Sequence, residues 1–270
     1  MNRRCEKRVI IDSFPESAGL HLGADAIVAV DVIRATTTAV TAAASGRRCF
    51  PASSMEHALA IASMLERPLL AGEQGGNMPM GFDLSNSPAD LHPRKDIERP
   101  LVLLSTTGTR LLWNARNAAA LFLASFRDYR SLARCLSSRF GTIAIIGAGS
   151  RGEFREEDQM CCAWIAELLI LSGFSAADRE THDLVKRWSG KPPEACLVSK
   201  SVEYLRRTGQ IRDLEFILRH VGDLEAVFTL AGGEVIMHRM PERDRDNPAD
   251  AREARPQGVP PGVVTQEVED

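Results

Sequence analysis

An aspartate, an arginine and three threonines stand together in DVIRATTT at 31–38, directly behind the apolar run AIVAV. Acid, guanidinium and hydroxyl groups where a strand gives way to a helix suit a phosphate held beside a metal ion. Open α/β sheets bind ligands at the carboxyl edge of their strands, and a helix N-terminus offers free N–H groups to anions. A carboxylate at the end of an apolar strand is costly to desolvate unless it is paired or bound to a cation. Asp31 therefore reads as a metal ligand, the alternatives being a buried ion pair with Arg34 or a cap on the next helix. Thr36, Thr37 and Thr38 are ordinary N-cap residues, and direct phosphate contact by one of them is the competing reading.

Four further segments follow strand-like runs in the same way. GEQGG (72–76) puts Glu73, a second hard-cation ligand or else a solvated loop acid, before Gly75-Gly76, which permit close backbone approach. GFDLSNSP (81–88) carries Asp83, Asn86 and Ser87, with Pro88 opening a short helix behind a Ser87 cap. STTGTR (105–110) supplies hydroxyls, backbone N–H groups and a guanidinium, as a phosphate or sulfonate requires, with Arg110 alternatively a surface helix residue. GAGSRGEFREED (147–158) matches GxGxxG by letter at Gly147, Gly149 and Gly152. Its loop runs on through EFREED instead of into a helix, and no acid closes a following strand at the fingerprint distance, so dinucleotide binding is unsupported.

Glu157 and Asp158 suit a helix N-terminus on dipole grounds alone. Together with Asp31 and Glu73 they complete an oxygen-ligand set suited to Mg²⁺. Cys161, one turn further on, reads as a small core residue, since no base is placed to make it a thiolate. The six histidines form no HxH or HExxH spacing, which leaves zinc without support.

These residues need a scaffold. Apolar or β-branched runs at 8–12, 26–33, 68–71, 100–105, 120–125 and 142–148 alternate with helix-like stretches at 36–45, 54–65, 129–140 and 158–171. The alternation predicts an α/β fold, a three-layer α/β/α sandwich with a mostly parallel or mixed central sheet, and brings all five segments to one sheet edge. The exception is 72–93, rich in Gly, Asn, Pro and Asp, a long loop of the kind that is functional or disordered. Helical spacing recurs at 176–188, 194–207 and 212–221, before a hairpin turning at Gly232-Gly233. Residues 1–240 read as a single domain, and 241–270, charged and Pro-rich, as a disordered tail.

With 44% hydrophobic residues in 270, the chain can bury a sizeable core, and a net charge of −3 argues against nucleic acid and for a small-molecule partner. The six cysteines lack CxxC spacing, and MNRRCEKR has no apolar h-region behind it, which predicts a reduced, cytoplasmic protein. No apolar run is long enough to span a bilayer, so membrane insertion is not expected. Oligomeric state is left open, a homo-oligomer being compatible.

The ordered set DVIRATTT, GEQGG, GFDLSNSP, STTGTR and EDQMC (157–161) resembles the 2-phosphosulfolactate phosphatases of coenzyme M biosynthesis, over roughly 8–240. The resemblance implies a Mg²⁺-dependent phosphomonoesterase that converts 2-phospho-3-sulfolactate and water to 3-sulfolactate and phosphate. It makes Asp31, Glu73 and Asp158, with Glu157 as alternate, the acidic metal-binding or catalytic set. Arg34, Thr36, Asn86, Thr106 and Arg110 become the anion-binding set. Ser85 stands where the family usually has Gly, Thr107 where it commonly has Asn, and Cys162-Ala163 where Ala-Gly is usual; no carboxylate is lost, and the changes bear on the substrate. Asp31 lacks the DxDx[TV] context of aspartyl-phosphate phosphatases, Ile33 holding the second acidic position, which favours a ligand role over a phosphoenzyme. The alternatives are a phosphatase of the same fold acting on another phosphorylated hydroxy acid, and a noncatalytic anion-binding relative.

Overall fold

A computed structural model describes residues 6–240; the expected tail at 241–270 and the first five residues lie outside the described residues. Its elements run β1 (Arg8–Asp12), a 3-10 segment (Pro15–His21), β2 (Ala26–Val30), α1 (Ala35–Ala44), β3 (Cys49–Ala52), α2 (Met55–Ser63), β4 (Leu69–Gly72), α3 (Pro88–Leu91), β5 (Leu101–Leu104), α4 (Gly108–Asn114) and β6 (Leu121–Ala124). They continue as α5 (Tyr129–Arg139), β7 (Thr142–Gly147), α6 (Glu156–Leu171), β8 (Ser175–Ala176), α7 (Arg179–Trp188), a second 3-10 segment (Pro193–Val198), α8 (Lys200–Arg207), α9 (Ile211–Arg219), β9 (Ala226–Ala231) and β10 (Glu234–Arg239).

The strands form a seven-stranded sheet in the order β10-β9-β6-β2-β7-β1-β8, parallel from β6 to β8 with β9 antiparallel to both neighbours. Alternate residues of its central strands serve opposite faces. Val28, Val30, Ile143 and Ile145 pack with Leu132 and Leu136 of α5 and Ile165 and Leu169 of α6. Ile27, Ala29, Ala144 and Ile146 turn the other way, onto Ala39 and Val40 of α1 and Leu111 and Leu112 of α4. The mainly parallel sheet between helical layers is the α/β architecture that the alternation predicts.

The expected single sheet edge is corrected, because β3, β5 and β4 make a separate three-stranded parallel sheet. Its inner residues Leu69, Leu101 and Leu103 join the α1 side of the core, while Val102 and Leu104 face the α2 side with Ala58. Short apolar strands carry no mark of which sheet they join; only packing distinguishes them. Element boundaries also move, two of them for reasons visible in the hydrogen bonds. The strand expected over 26–33 stops at Val30, since the Asp31 amide donates to Thr36 Oγ1 and the Asp31 carbonyl accepts from the Thr36 amide, turning the chain into α1. The helix expected over 194–207 breaks at Ser199, whose backbone is extended and whose hydroxyl caps α8 by accepting from the Val202 amide.

The chain leaves β2 toward the β6 side and leaves β7 toward the β8 side, so these adjacent strands flank a crevice at their carboxyl ends. Leu123 lies fully buried on β6 beside β2. Leu123→Ala should cost about 2–5 kcal/mol of unfolding free energy, measured by urea denaturation.

Candidate active site

A cavity of about 430 Å³ opens at that crevice, lined among others by Asp31, Arg34, Glu73, Asn86, Thr106 and Asp158. Asp31 stands at the end of β2 and is 4% exposed; Asp158, in the first turn of α6, is 3% exposed. Each is held by one oxygen: Asp31 Oδ1 accepts from the Ala35 amide (3.1 Å) and Asp158 Oδ1 from the Val32 amide (2.8 Å), which ties the two strand ends together. Gly108 makes room at the first position of α4, where a Cβ would fall 2.2 Å from Asp31 Oδ2 and 2.6 Å from the Ala35 Cβ.

Burial raises the Asp31 carboxyl to about 7, the Ala35 hydrogen bond opposing it and the charges of Glu73 and Glu157 adding to it. Asp158 goes well above the usual carboxylate range, first through burial and then through repulsion from Asp31 and Glu157. Beside them Arg34 Nη1 donates to Gln210 Oε1 and Asp213 Oδ2, both at 2.5 Å. Asp213 in turn accepts from Ser87 Oγ (2.5 Å) and the Ala89 amide (3.2 Å), so one buried carboxylate holds both the arginine and the loop that carries Asn86. The Asn86 side-chain oxygen is buried without a hydrogen-bond partner among the described residues.

A profile of the 2-phosphosulpholactate phosphatase family matches residues 13–232. The chain belongs to this family. A protein of Caldicellulosiruptor saccharolyticus named "Probable 2-phosphosulfolactate phosphatase" is 32% identical over 205 residues, 71% of this chain and 84% of the relative. Proteins of the same name from Synechococcus sp. strain WH7803 (31% identical, 75% of this chain and 85% of the relative) and strain CC9605 (35%, 68% and 79%) are similar to it as well.

Within this phosphatase family member, several expected site residues sit elsewhere. Thr36 is not on the cavity wall. Its Oγ1 accepts from the Asp31 amide and lies 2.7 Å and 2.6 Å from the carbonyl oxygens of Asp31 and Ala124. Thr37 and Thr38 likewise spend their hydroxyls on backbone carbonyls, of Val32 and Arg34. An N-terminal turn rich in threonine satisfies its own backbone before it can reach a ligand. Arg110 also lies off the cavity wall, 55% exposed and paired with Glu16 at 3.1 Å. Glu157, one residue before Asp158 and 100° around the helix, points away from the cavity lining. It is fully buried, with neither carboxylate oxygen making a hydrogen bond of ordinary geometry. Burial raises its pKa, while the Ser201 and Ser199 hydroxyls favour the ionised form. Glu73 does reach the cavity, with its oxygens engaged by the Thr106 amide (2.6 Å), Thr106 Oγ1 (2.9 Å) and the Gly76 amide (2.7 Å). Among the described residues no three His, Cys, Asp or Glu side chains are grouped to hold a metal ion.

The helical region after 176, which holds none of the five segments, supplies a wall. Lys200, Ser201, Tyr204 and Arg207 of α8 line the cavity, as do Arg151 and Arg155 of the loop before α6. The Tyr204 hydroxyl donates to the Gly76 carbonyl, joining α8 to the GEQGG loop. Arg151 lies in GAGSRG, which the sequence offered only as a dinucleotide loop, and α8 carries no motif. Cys161 is fully buried with its thiol pushed up by burial, as a core residue. No helix among the described residues is long and apolar enough to cross a membrane.

Asp31 titrates higher folded (about 7) than an unfolded aspartate (about 3.9), so the folded state binds the extra proton between those values and loses stability as pH rises through that window. Metal-free protein should therefore melt lower at about pH 8 than at about pH 5 in differential scanning calorimetry. Asp31→Asn should flatten that slope. A residual slope remains from Asp158, Glu157 and Asp128, whose carboxyls burial also raises.

Thr36→Val, which strands the Asp31 amide and the Ala124 carbonyl, should cost about 1–3 kcal/mol in denaturant titration.

Proposed function

We propose that this protein hydrolyses the phosphate ester of 2-phospho-3-sulfolactate to 3-sulfolactate and phosphate, with Mg²⁺ held by Asp31 and Asp158. The observation that carries the reading is the pair of buried, mutually repelling carboxylates at the mouth of adjacent strands, facing a cavity that also presents Arg34 and the unpartnered oxygen of Asn86. Names borne by the relatives supply the substrate. The carboxylates fit Mg²⁺ because that ion takes one or two carboxylates and completes its shell with waters and phosphate oxygens, without a dedicated protein cage. When bound, it would neutralise charge on a nonbridging phosphate oxygen as the ester bond breaks.

The chain's own residues do the rest. Arg34, its guanidinium fixed through Nη1 by Gln210 and Asp213, holds phosphoryl oxygens with little loss of side-chain freedom. Glu73 lines the same cavity. It braces the Gly75-Gly76 and Thr106 loops against each other, shaping the wall that encloses the phosphoryl group. The deep placement of Asp31 and Asp158 limits bulk water and strengthens electrostatic contacts to the phosphoryl group. Cytoplasmic residence and a role in coenzyme M formation belong to the same proposal.

Phosphate release from 2-phospho-3-sulfolactate tests it, measured with Mg²⁺ and after chelation. Turnover should require the ion. Asp31→Asn and Asp158→Asn should each lower kcat by about 10²–10³-fold in folded protein. Undiminished turnover in either variant would remove that carboxylate from the site, and preference for another phosphorylated hydroxy acid would keep the chemistry and replace the substrate.

A further inference from the structure

The cations lining the cavity divide into two kinds. Arg34 is paired with Asp213, while Lys200 and Arg155 both reach the Glu153 carboxylate, at 2.7 Å and 3.5 Å. Arg151 and Arg207 line the same cavity from two different elements and are solvent-exposed. Neither has a carboxylate or hydrogen-bond partner among the described residues. Their charge is therefore uncommitted where that of the other three is neutralised.

Arg151 is also held there against the preference of its own backbone. Ser150 and Glu153 exchange both backbone hydrogen bonds (2.8 and 3.1 Å), leaving Arg151 and Gly152 as the two turn residues at φ +55° and +72°. A turn of this shape takes Asn, Asp or Gly at its first central position, because a Cβ is crowded at positive φ. The turn is anchored at its base, since a Cβ on Gly149 would lie 2.7 Å from the Ser13 carbonyl oxygen and 2.8 Å from that of Glu153. The turn thus sets an arginine with unpaired charge at the cavity wall, at a position that favours smaller residues.

The cavity is graded from end to end. Asp31, Arg34, Asn86 and Asp158 are buried, whereas Arg151 and Arg207 meet solvent. We infer that Arg151 and Arg207 form a sulfonate subsite at the mouth of the cavity, which selects phosphate esters carrying a second strong-acid group. The inference rests on the proposed function for the phosphoryl end. A sulfonate offers three acceptor oxygens to guanidinium forks arriving from separate elements, and its charge does not titrate away near neutral pH.

The test compares Arg151→Ala and Arg207→Ala with the wild type in two measurements. In the first, kcat/KM is determined for 2-phospho-3-sulfolactate and for 2-phospholactate, which lacks the sulfonate. Each variant should shrink the ratio between the two esters by roughly tenfold or more, with an unchanged melting temperature. An unchanged ratio overturns the subsite. The second is calorimetric binding of 3-sulfolactate, which needs no turnover. It should weaken by a similar factor in each variant, and equal binding by wild type and variants, or no binding at all, overturns the subsite whatever the kinetics show. Arginine-dependent 3-sulfolactate binding in a protein that releases no phosphate would uphold the subsite and overturn the proposed hydrolysis.

Discussion

The architecture turns on carboxylates that water scarcely reaches, gathered where two parallel strands end. Asp31 closes β2, Asp158 opens α6 behind β7, and the Val32 amide joins them through Asp158 Oδ1. Their mutual repulsion and desolvation oppose folding, and the surroundings offset only part of it. The Ala35 and Val32 amides, the positive end of α6 and Arg34 each contribute. What is left uncompensated is the feature on which the proposed Mg²⁺ site rests.

That constraint explains how the neighbouring residues are used. The threonines after Asp31 fasten the strand-to-helix turn, so that the carboxylate is fixed without a flexible tether. Gly108 gives up its side chain so that α4 can approach Asp31 Oδ2. Asp213, far along the chain, gathers Arg34 and the Ser87 loop on one carboxylate. A buried charge pair of this kind adds less to stability than to the fixed position of its arginine.

Both sheets are needed for the cavity. The large sheet delivers Asp31 and the loop before α6, the small one delivers Glu73 and Thr106, and α8 closes the remaining side through Tyr204 on Gly76. Glu73 binds the two loops of the small sheet together, which makes that half of the wall a unit.

Period and punctuation in the sequence were enough to establish the alternating α/β order, the parallel core strands and the Gly232-Gly233 hairpin, because burial on one or both faces writes itself into residue spacing. The run of sheet-edge segments likewise marked Asp31, Arg34, Asn86, Thr106 and Asp158 as neighbours. What spacing does not encode is direction: Thr36 turns onto backbone, Arg110 onto Glu16 and Glu157 into the interior, each decided by a rotation about a helix or a partner distant in sequence. Nor does it encode which short strands form a second sheet, or that an amphipathic helix at 200–207 will lean its Lys200, Tyr204 and Arg207 over the cavity. Those outcomes depend on long-range packing, in which the same apolar run or surface arginine can serve several positions and only the assembled neighbours choose among them.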